Sequence, residues 1–458
     1  MYRGFIMDKI KQWLAEHNVK YVQCVITDHT GIARGKIYPV QKFIEEGGSR
    51  LGETILLMSA TGDLAADEFL YTLADPRDID MLLEPDENAC YMVPWAKEPT
   101  AMIIHNCIDQ KTLKPVDQSP RDLLKKVMKL YDDQGWKAVV APEMELYFTL
   151  SSTDSSQPLT TPLGNSGRSE AGRQSFGIDA ITEFEPVMTD IYEWSAQQNL
   201  AIDVVVHEEG KAQFEFNFDH GDPLSLADQV IVFKRTVKAA ANKHGMTATF
   251  MAKPITGQPG SAMHIHQSIV EKSTGKNIFA GSCEQSTEFS QNFMHYLGGL
   301  QTFIPQLMLM FAPNINSYRR FLADSATPVN LEWGIENRTV GLRIPDAPDH
   351  AKRVENRIPG ADANPYLAIA ATLICGYIGM MEKISPADEV TGKANNTINK
   401  NLPVNIEAAM QQMEQSDKIK HYLGESFVTG FIATRRADYD NYKSVISSWE
   451  RHYLLTTV

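Results

Sequence analysis

Residues 137–150 read KAVVAPEMELYFTL, and this stretch decides how the chain folds. Side chains alternate between the two faces of an extended strand, so Glu143 and Glu145 share one face while Met144 and Leu146 share the other. The stretch therefore predicts one strand of a sheet that is apolar on one side and ionic on the other.

The same alternation recurs far away along the chain. Polar side chains share one face in SAMHIHQS (261–268) with His264 and His266, in FEFNFD (214–219) with Glu215, and in AKRVENRIP (351–359) with Arg353, Glu355 and Arg357, while His207 and Glu208 end another apolar run. Any one of these alone is most simply a sheet face in water. Together they predict a curved sheet whose helices cover the apolar side and whose concave side is a charged cavity.

Carboxylates crowd this predicted cavity, namely those of Glu143, Glu145, Glu208, Glu215 and Glu355. Like charges within a few ångströms raise one another's pKa and bind protons unless cations compensate them. Oxygen-rich ligand sets without thiols favour hard ions, so the sequence predicts Mg²⁺ or Mn²⁺ ahead of zinc.

Arginines form a second population on the same segments: Arg319, Arg320, Arg338, Arg343, Arg353 and Arg357. Each alone could equally pair with a surface acid. Guanidinium groups also bind carboxylates and phosphates through two hydrogen bonds each. Metal ions and arginines around one cleft favour phosphoryl transfer, whereas a two-metal hydrolase has less need for so many arginines.

Composition and charge limit the classes of protein to which the chain can belong. The 458 residues include 43% hydrophobic and 22% charged residues, and the formal net charge is −14. That charge disfavours nucleic acid and anionic lipid but attracts small cations. Five scattered cysteines predict no disulfide framework. We expect a cytoplasmic protein without a secretory signal, and we find no run of about 18 apolar residues that could span a membrane.

A domain boundary is predicted at KTLKPVDQSP (111–120). Before it, an opening helix and short strands form a small sheet domain; after it, strands and helices alternate. Ser119 is expected to cap the next helix, which Pro120 starts and Gly135 ends. Residues 151–172, rich in Ser, Thr, Pro and Gly, are expected to form a mobile surface loop.

Six motifs in order resemble the glutamine synthetase family, with its γ-glutamyl-amine ligases: PEMELYF, HEEGKAQFEFN, GSAMHIHQS, NSYRR, ENRTVGLRIP and RVENRIPGADANPYLAIA. Residues 220–254 are most similar to the bacterial γ-glutamylputrescine and γ-glutamylpolyamine synthetases. The resemblance implies an α+β fold in which a small N-terminal β-grasp-like domain (1–112) precedes a catalytic domain (113–458) that binds ATP, metal and glutamate. The catalytic domain is expected to hold a curved antiparallel sheet, a half-barrel funnel, covered by helices.

The resemblance also assigns roles. Glu145, Glu208 and Glu215 would hold the ion that faces glutamate, and Glu143, His264 and Glu355 would hold the ion under the nucleotide phosphates, so that each site contains two or more Mg²⁺ or Mn²⁺. Gly260, Arg320 and Arg357 would bind L-glutamate. His266, Ser268, Arg338, Arg343 and Arg353 would bind ATP, with Arg338 as the catalytic residue.

The implied reaction has two steps: ATP phosphorylates the γ-carboxylate of glutamate, and an amine then displaces the phosphate. The family also implies a homo-oligomer, a dodecamer of two stacked hexameric rings. In it the neighbouring subunit completes each active site, and Thr61, Gly62 and Asp63 are the candidates for that contribution.

One departure from the family bears on the amine. Glutamine synthetases carry a glutamate on the flap after the Tyr-x-Arg motif that helps to bind and deprotonate ammonium; here LADSATPVN (322–330) places Ala326 there. The lost carboxylate suits the alkyl chain of a larger amine, so putrescine or another polyamine, in polyamine catabolism, is the expected substrate. A slip of one or two residues in the alignment would offer Asp324 instead.

Two alternatives stay open: ordinary glutamine synthesis from ammonium, and an inactive synthetase-like protein with a structural or regulatory role. The second should have lost ligands, and none of the six is missing. Residues 390–405 (VTGKANNTINKNLPVN) contain no tyrosine, so adenylylation there is not expected.

Overall fold

The computed structural model describes residues 2–152, 154, 156–281, 289–321, 327–395 and 398–458, with side chains described from residue 6 onward except at 67–69. The helices are α1 (Tyr2–Glu16), α2 (Val40–Glu46), α3 (Asp67–Leu73), α4 (Pro120–Asp133), α5 (Ile178–Thr182), α6 (Glu185–Gln197), α7 (Pro223–Lys243), α8 (Gln291–Phe311), α9 (Pro365–Glu382), α10 (Ile406–Glu414), α11 (Asp417–Leu423), α12 (Glu425–Ser444) and α13 (Ser448–Tyr453). The strands are β1 (Tyr21–Thr27), β2 (Ala33–Pro39), β3 (Ser49–Gly52), β4 (Asp80–Met92), β5 (Thr100–Ile108), β6 (Trp136–Leu150), β7 (Ile202–His207), β8 (Gln213–Phe218), β9 (Met246–Thr249), β10 (Met263–Glu271), β11 (Trp333–Ile335), β12 (Leu342–Ile344) and β13 (Val354–Asn356).

The first five strands form one sheet, in the order β2-β1-β5-β4-β3, with β1 and β5 parallel at its centre. Helix α1 packs on this sheet because Ile10 and Leu14, one helical turn apart, are buried against Val22 and Ile103. The division at residue 112 stays a prediction, although this sheet ends at Ile108 and α4 begins at Pro120.

The remaining strands form a curved sheet in the order β11-β12-β13-β10-β6-β8-β7, with β9 added beside β6. Its pairs are antiparallel except β11–β12, which is parallel. The α+β class and the curved, helix-covered sheet expected from the sequence are confirmed.

Apolar alternation decides which face of the curved sheet the helices cover. Met144 and Leu146 of β6 are fully buried, as are Phe214 and Phe216 of β8. The ring of Phe216 meets Phe233 of α7 with centroids 5.1 Å apart. Since odd and even positions point to opposite faces, the polar side chains of the same strands are left on the concave side.

Helices α8 and α9 cross behind the sheet, where Gly299 and Gly379 let them approach closely. A Cβ at Gly299 would lie 2.7 Å from the Cα of Gly379, so only glycine fits at this crossing. Helix α9 is long and apolar enough to cross a membrane, contrary to the expectation that no such stretch exists, but 89% of it is buried inside the fold. A buried core helix passes the same test, so this helix is weak evidence for a membrane span.

A buried ionic network joins the two sheets through their helices. Arg121 of α4 donates two hydrogen bonds to Asp228 of α7 (2.9 and 2.7 Å) and one to Asp86 of β4 (2.8 Å). The hydroxyl of Tyr366 donates to the same Asp228 carboxylate at 2.5 Å. A buried guanidinium group is stabilised when a carboxylate accepts two of its hydrogen bonds and other acceptors take the remaining ones.

Helix α12 returns to the N-terminal part of the chain and holds the loop at residues 59–63. Asp438 accepts a hydrogen bond from the backbone N–H of Ala60 (2.9 Å). Asn441 donates to the Thr61 hydroxyl (2.9 Å) and to Asp63 (2.5 Å). The loop with the candidate contribution to a neighbouring subunit is therefore fixed by the opposite end of the chain.

Candidate active site

Strand register brings the predicted polar residues into a row across the concave face. The opposed pairs, read across β8, β6, β10, β13 and β12, are Glu215 with Glu145, Glu143 with His264, His266 with Glu355, and Arg343 with Glu355. Directly opposed side chains on one face lie about 5 Å apart at their Cβ atoms. Five strands that are scattered along the sequence thus meet at one site.

Glu143 occupies the centre of this row. Its Oε1 lies 2.9 Å from Nε2 of His266, and its Oε2 lies 3.3 Å from Nδ1 of His264. Burial alone would raise the pKa of the Glu143 carboxyl, but the hydrogen bonds with these two imidazoles outweigh it and hold this pKa below its ordinary value. Glu143 is therefore the anionic centre of the cluster.

The pKa values of the carboxyl groups on the β8 side of the row are shifted in the opposite direction. Burial, followed by the charge of Glu208, raises the pKa of Glu145 to about 8. Burial and the surrounding carboxylates raise the pKa of Glu215 well above its ordinary value, and burial raises that of Glu208. Burial is the largest cause at all three acids because it penalises the charged carboxylate, and neighbouring carboxylates add to it at Glu145 and Glu215.

A divalent cation fits this donor set. Among the described residues, ligand atoms lie within 4.8 Å of one another in two groups, Glu143–Glu215–His264 and Glu143–His266–Glu355. Carboxylates with raised pKa values and adjacent imidazoles are groups that release protons when a metal ion binds. Glu143 belongs to both groups, whereas the resemblance places it with His264 and Glu355; the assignment of each ligand to one of two ions stays a prediction.

Arginines flank the row at Glu355, which is 1% exposed. Arg343 donates to its Oε2 (2.8 Å) and Arg357 to its Oε1 (2.5 Å). Burial would raise the pKa of Glu355, but the Arg357 charge and the nearby histidines lower it to about 2. The structure thus places Arg343 and Arg357 at the cluster, with Arg343 also paired to Glu336 at 3.0 Å.

Arg320 and Gly260 form a second contact beside the acids. Arg320 is 2% exposed and donates to the carbonyl oxygen of Ile358 at 3.0 Å. A Cβ on Gly260 would lie 2.6 Å from the Cγ of Arg320 and 2.8 Å from the carbonyl oxygen of Ala252. Glycine is therefore required here so that the Arg320 side chain can lie against the backbone.

The predicted nucleotide residues lie along the other flank. Ser268 continues the face of His264 and His266 on β10, and Nε of Arg353 donates to Nδ1 of His266 at 3.3 Å. Arg338 is exposed on the loop between β11 and β12, and its charge opposes the rise that burial causes in the pKa of Glu208. Arg319 is the neighbour of Arg320 on the short helical turn Ile315–Arg320, and it is not buried.

Two hydrogen-bond donors at the site were given no role from the sequence, although Gln213 shares the polar face of its strand with Glu215. Gln213 donates to Glu145 (3.2 Å) and to the carbonyl oxygen of Gly260 (3.0 Å), and the backbone N–H of Ala262 donates to Glu145 (2.8 Å). The position of Gln213 one pleat before Glu215 was a signal that could have found it, whereas a backbone donor leaves no signal in the sequence. Ala326 and Asp324, which bear on the amine, lie outside the described residues.

Comparisons with known proteins agree with this geometry. The family model described as glutamine synthetase, catalytic domain, matches residues 117–454. The glutamate–isopropylamine ligase of a Pseudomonas species is 30% identical over 452 residues, covering 96% of both chains. The γ-glutamylputrescine synthetase PuuA of Escherichia coli K12 is 31% identical over 458 residues, covering 98% of this chain and 94% of its own.

A relative with a different name and a solved structure are also similar to this chain over most of its length. A glutamine synthetase of Pyrococcus abyssi is 31% identical over 439 residues, covering 93% of this chain and 92% of its own. The solved structure of GmaS without ligand superposes with a TM-score of 0.82 at 26% identity, covering 97% of this chain and 98% of that one. The resemblance first seen in the motifs therefore extends over the whole fold, while the acceptor amine differs among these relatives.

Proposed function

This chain belongs to the glutamine synthetase family, and on that premise we propose that it joins the γ-carboxylate of L-glutamate to an amine at the expense of ATP. The observation that carries the proposal is the row of acids and histidines on the concave face, flanked by the half-buried Arg343 and the buried Arg357. The acids and histidines can hold divalent cations that bind a triphosphate, and the guanidinium groups can bind a carboxylate.

Glu143, Glu145, Glu208, Glu215, His264 and Glu355 are the residues that we propose hold two or more Mg²⁺ or Mn²⁺. Bound there, the ions would neutralise the phosphate charge that develops when the γ-phosphoryl group transfers. Support comes from the raised pKa values of Glu145, Glu208 and Glu215, because they identify buried carboxylates whose charged form a bound cation would stabilise.

The two charged substrates would approach from opposite flanks of the row. On the proposed glutamate side, Arg320 is buried against Gly260 and Arg357 lies at Glu355, so both guanidinium groups have fixed positions. On the proposed ATP side, His266 and Arg353 are hydrogen-bonded, Ser268 continues the strand, Arg343 pairs with Glu355, and Arg338 is exposed. Arg338, as the proposed catalytic residue, would stabilise the transferring phosphoryl group.

The chemistry needs an activated intermediate because a free carboxylate does not react with amines at useful rates. One γ-carboxylate oxygen of glutamate attacks the γ-phosphorus of ATP, ADP leaves, and γ-glutamyl phosphate forms. The amine nitrogen then attacks the acyl carbon, inorganic phosphate leaves, and the amine gives up a proton. The buried arginines hold the substrate carboxylates in place during both steps, and a closed site protects the intermediate from water.

The acceptor is proposed to be putrescine or another polyamine. Ala326 replaces the flap carboxylate that would bind ammonium, and a net charge of −14 attracts a di- or polycation. One relative is named for putrescine and another for isopropylamine. Ammonium is the second candidate, because a glutamine synthetase matches at 31% identity.

Release of ADP and inorganic phosphate, measured with glutamate, ATP and Mg²⁺ across an amine panel, tests the proposal. The panel should contain putrescine, spermidine, spermine, isopropylamine and ammonium, with mass spectrometry of the product. A γ-glutamylpolyamine with the highest kcat/KM is the expected outcome. If ammonium has the highest kcat/KM the polyamine assignment fails, and if no amine supports turnover the ligase assignment fails with it.

We also propose a homo-oligomer, in the form of two stacked hexameric rings with shared active sites. The C-terminal end supports self-association because its apolar side chains are exposed in the single chain: Val445, Ile446, Trp449, Tyr453, Leu455 and Val458. Light scattering coupled to size-exclusion chromatography should give a mass near twelve times 51.2 kDa. A monomer at working concentration would exclude the shared sites.

A further inference from the structure

The long segment between β6 and α5 carries a buried carboxylate. Residues 151–172 were expected to form a mobile surface loop, and the described part of the segment contains neither helix nor strand. The Glu170 side chain is nonetheless only 8% exposed. It is also the only acid within residues 156–176, so the one carboxylate of a Ser- and Gly-rich stretch lies inside the fold.

Both oxygens of Glu170 bind the turn that joins β7 to β8. Oε1 lies 2.7 Å from Nε2 of His207, and Oε2 accepts a hydrogen bond from the backbone N–H of Ala212 at 2.6 Å. His207 is completely buried, and its Nδ1 donates to the carbonyl oxygen of Glu208 at 2.7 Å. One carboxylate therefore holds both ends of the turn that presents Glu208.

The turn needs such a contact because its backbone is strained. Ala212 has a φ of 53°, in the left-handed region that non-glycine residues rarely adopt. The N–H that Glu170 accepts belongs to this residue. A bond to the strained residue at one end and to the imidazole at the other limits how far the intervening Glu208 can move.

We propose that Glu170 is a positioning residue that fixes Glu208 at the acidic row through His207 and the Ala212 amide. The inference rests on the proposed function, since it assumes that Glu208 helps to hold a metal ion. Partners that orient ligands are worth about 10- to 100-fold in metal affinity when they are removed. Glu170 acts through one intermediate residue, so the lower end of that range is expected.

The charge and the contacts of Glu170 can be separated by two substitutions. E170A removes both contacts. E170Q keeps both, because the amide oxygen can accept from Ala212 and the amide NH₂ can donate to a neutral imidazole. A positioning role predicts that E170A weakens one class of bound Mn²⁺ by about 10-fold, while E170Q stays within about two-fold of the parent.

Glu183, which follows α5, provides a matched control because it also contacts the segment. Its Oε2 accepts from the backbone N–H of Ser166 at 2.8 Å, so it also anchors the segment through a carboxylate, but its bond is not to the β7–β8 turn. E183A should leave Mn²⁺ binding within about two-fold of the parent. Equal weakening by E183A and E170A would show that any loosening of the segment suffices, and that would overturn the specific role of Glu170.

Isothermal titration of Mn²⁺ into the purified protein, without ATP or glutamate, is the primary measurement. Unchanged binding by E170A, or equal loss in E170A and E170Q, would refute positioning by contact. If E170A does not assemble, E170D, whose shorter side chain reaches only one partner, takes its place and should bind about 10-fold more weakly than E170Q. Amine-dependent ADP release by the parent is recorded in parallel, so that failure of the proposed function is separate from failure of this inference.

Discussion

Replacing Gly260 by alanine tests whether the packing of Arg320 shapes the proposed glutamate site. The added Cβ would lie 2.6 Å from Cγ of Arg320 and 2.8 Å from the carbonyl oxygen of Ala252, both closer than a real Cβ contact. Neither neighbour can move freely. Arg320 is 2% exposed and bonded to the Ile358 carbonyl, and the other contact is backbone.

The close contacts of the added Cβ can be relieved in two ways, and each has its own cost in free energy. If the backbone yields, overpacking of this kind costs about 1–3 kcal/mol of stability. If Arg320 is displaced, glutamate loses a charged hydrogen bond that contributes about 1.5–3 kcal/mol. By the relation of about 1.4 kcal/mol per factor of ten, the second case raises KM for glutamate roughly 10- to 150-fold.

Coupled-enzyme measurement of ADP release over a glutamate titration, with Tm determined by calorimetry, separates the two cases. G392A is the matched control, because a Cβ at Gly392 meets nothing within 4 Å. We expect G260A to raise KM for glutamate while KM for ATP changes little. A G260A protein with the Tm and glutamate KM of G392A would show that the Gly260–Arg320 contact does not shape the site.

Three further perturbations follow from contacts described above. Because burial and Glu208 raise the pKa of Glu145 from 4.5 to about 8, the folded metal-free protein holds a proton that the unfolded chain has lost between these values, so Tm should fall as the pH rises from 4.5 to about 8. Excess Mn²⁺ should reduce that fall, and a Tm that rises with pH would contradict the sign. D228N leaves Arg121 buried with one hydrogen-bonding carboxylate instead of two, which should cost about 3 kcal/mol in denaturant unfolding, whereas no loss would mean that the network is solvated. E143Q and D63A chains are each expected to be inactive alone. If neighbouring subunits share the sites, co-expression should restore about one quarter of them, namely those in which an intact Glu143 meets an intact Asp63 of the neighbour. No recovered ADP release would mean that each subunit is self-contained.

Strand periodicity was enough to predict the ionic face and most of what lies on it. Glu143, Glu145, His264 and His266 could be placed on one face because alternation is a property of the backbone alone. Which residues stand opposite one another could not be predicted. The pairing of Glu143 with His264 and of His266 with Glu355 depends on register, which the whole sheet determines.

Contacts made by loops were beyond the reach of the sequence. Glu170 lies in a stretch whose composition is typical of an exposed loop, and its burial depends on a strained turn about 40 residues later in the chain. Gly260 was assigned by resemblance, but its physical reason, close approach of Arg320, needs three-dimensional geometry. Backbone donors such as Ala262 give no residue-specific signal at all.

The hold of α12 on the loop at 59–63 has a consequence for synthesis on the ribosome. Asp438 is made 378 residues after Ala60, the residue whose backbone it bonds. At roughly 5–20 residues per second, that loop waits about 20–75 s for its partner while the rest of the chain emerges. The N-terminal sheet can form early, but the contacts that hold the loop at 59–63 can form only after α12 has left the ribosome.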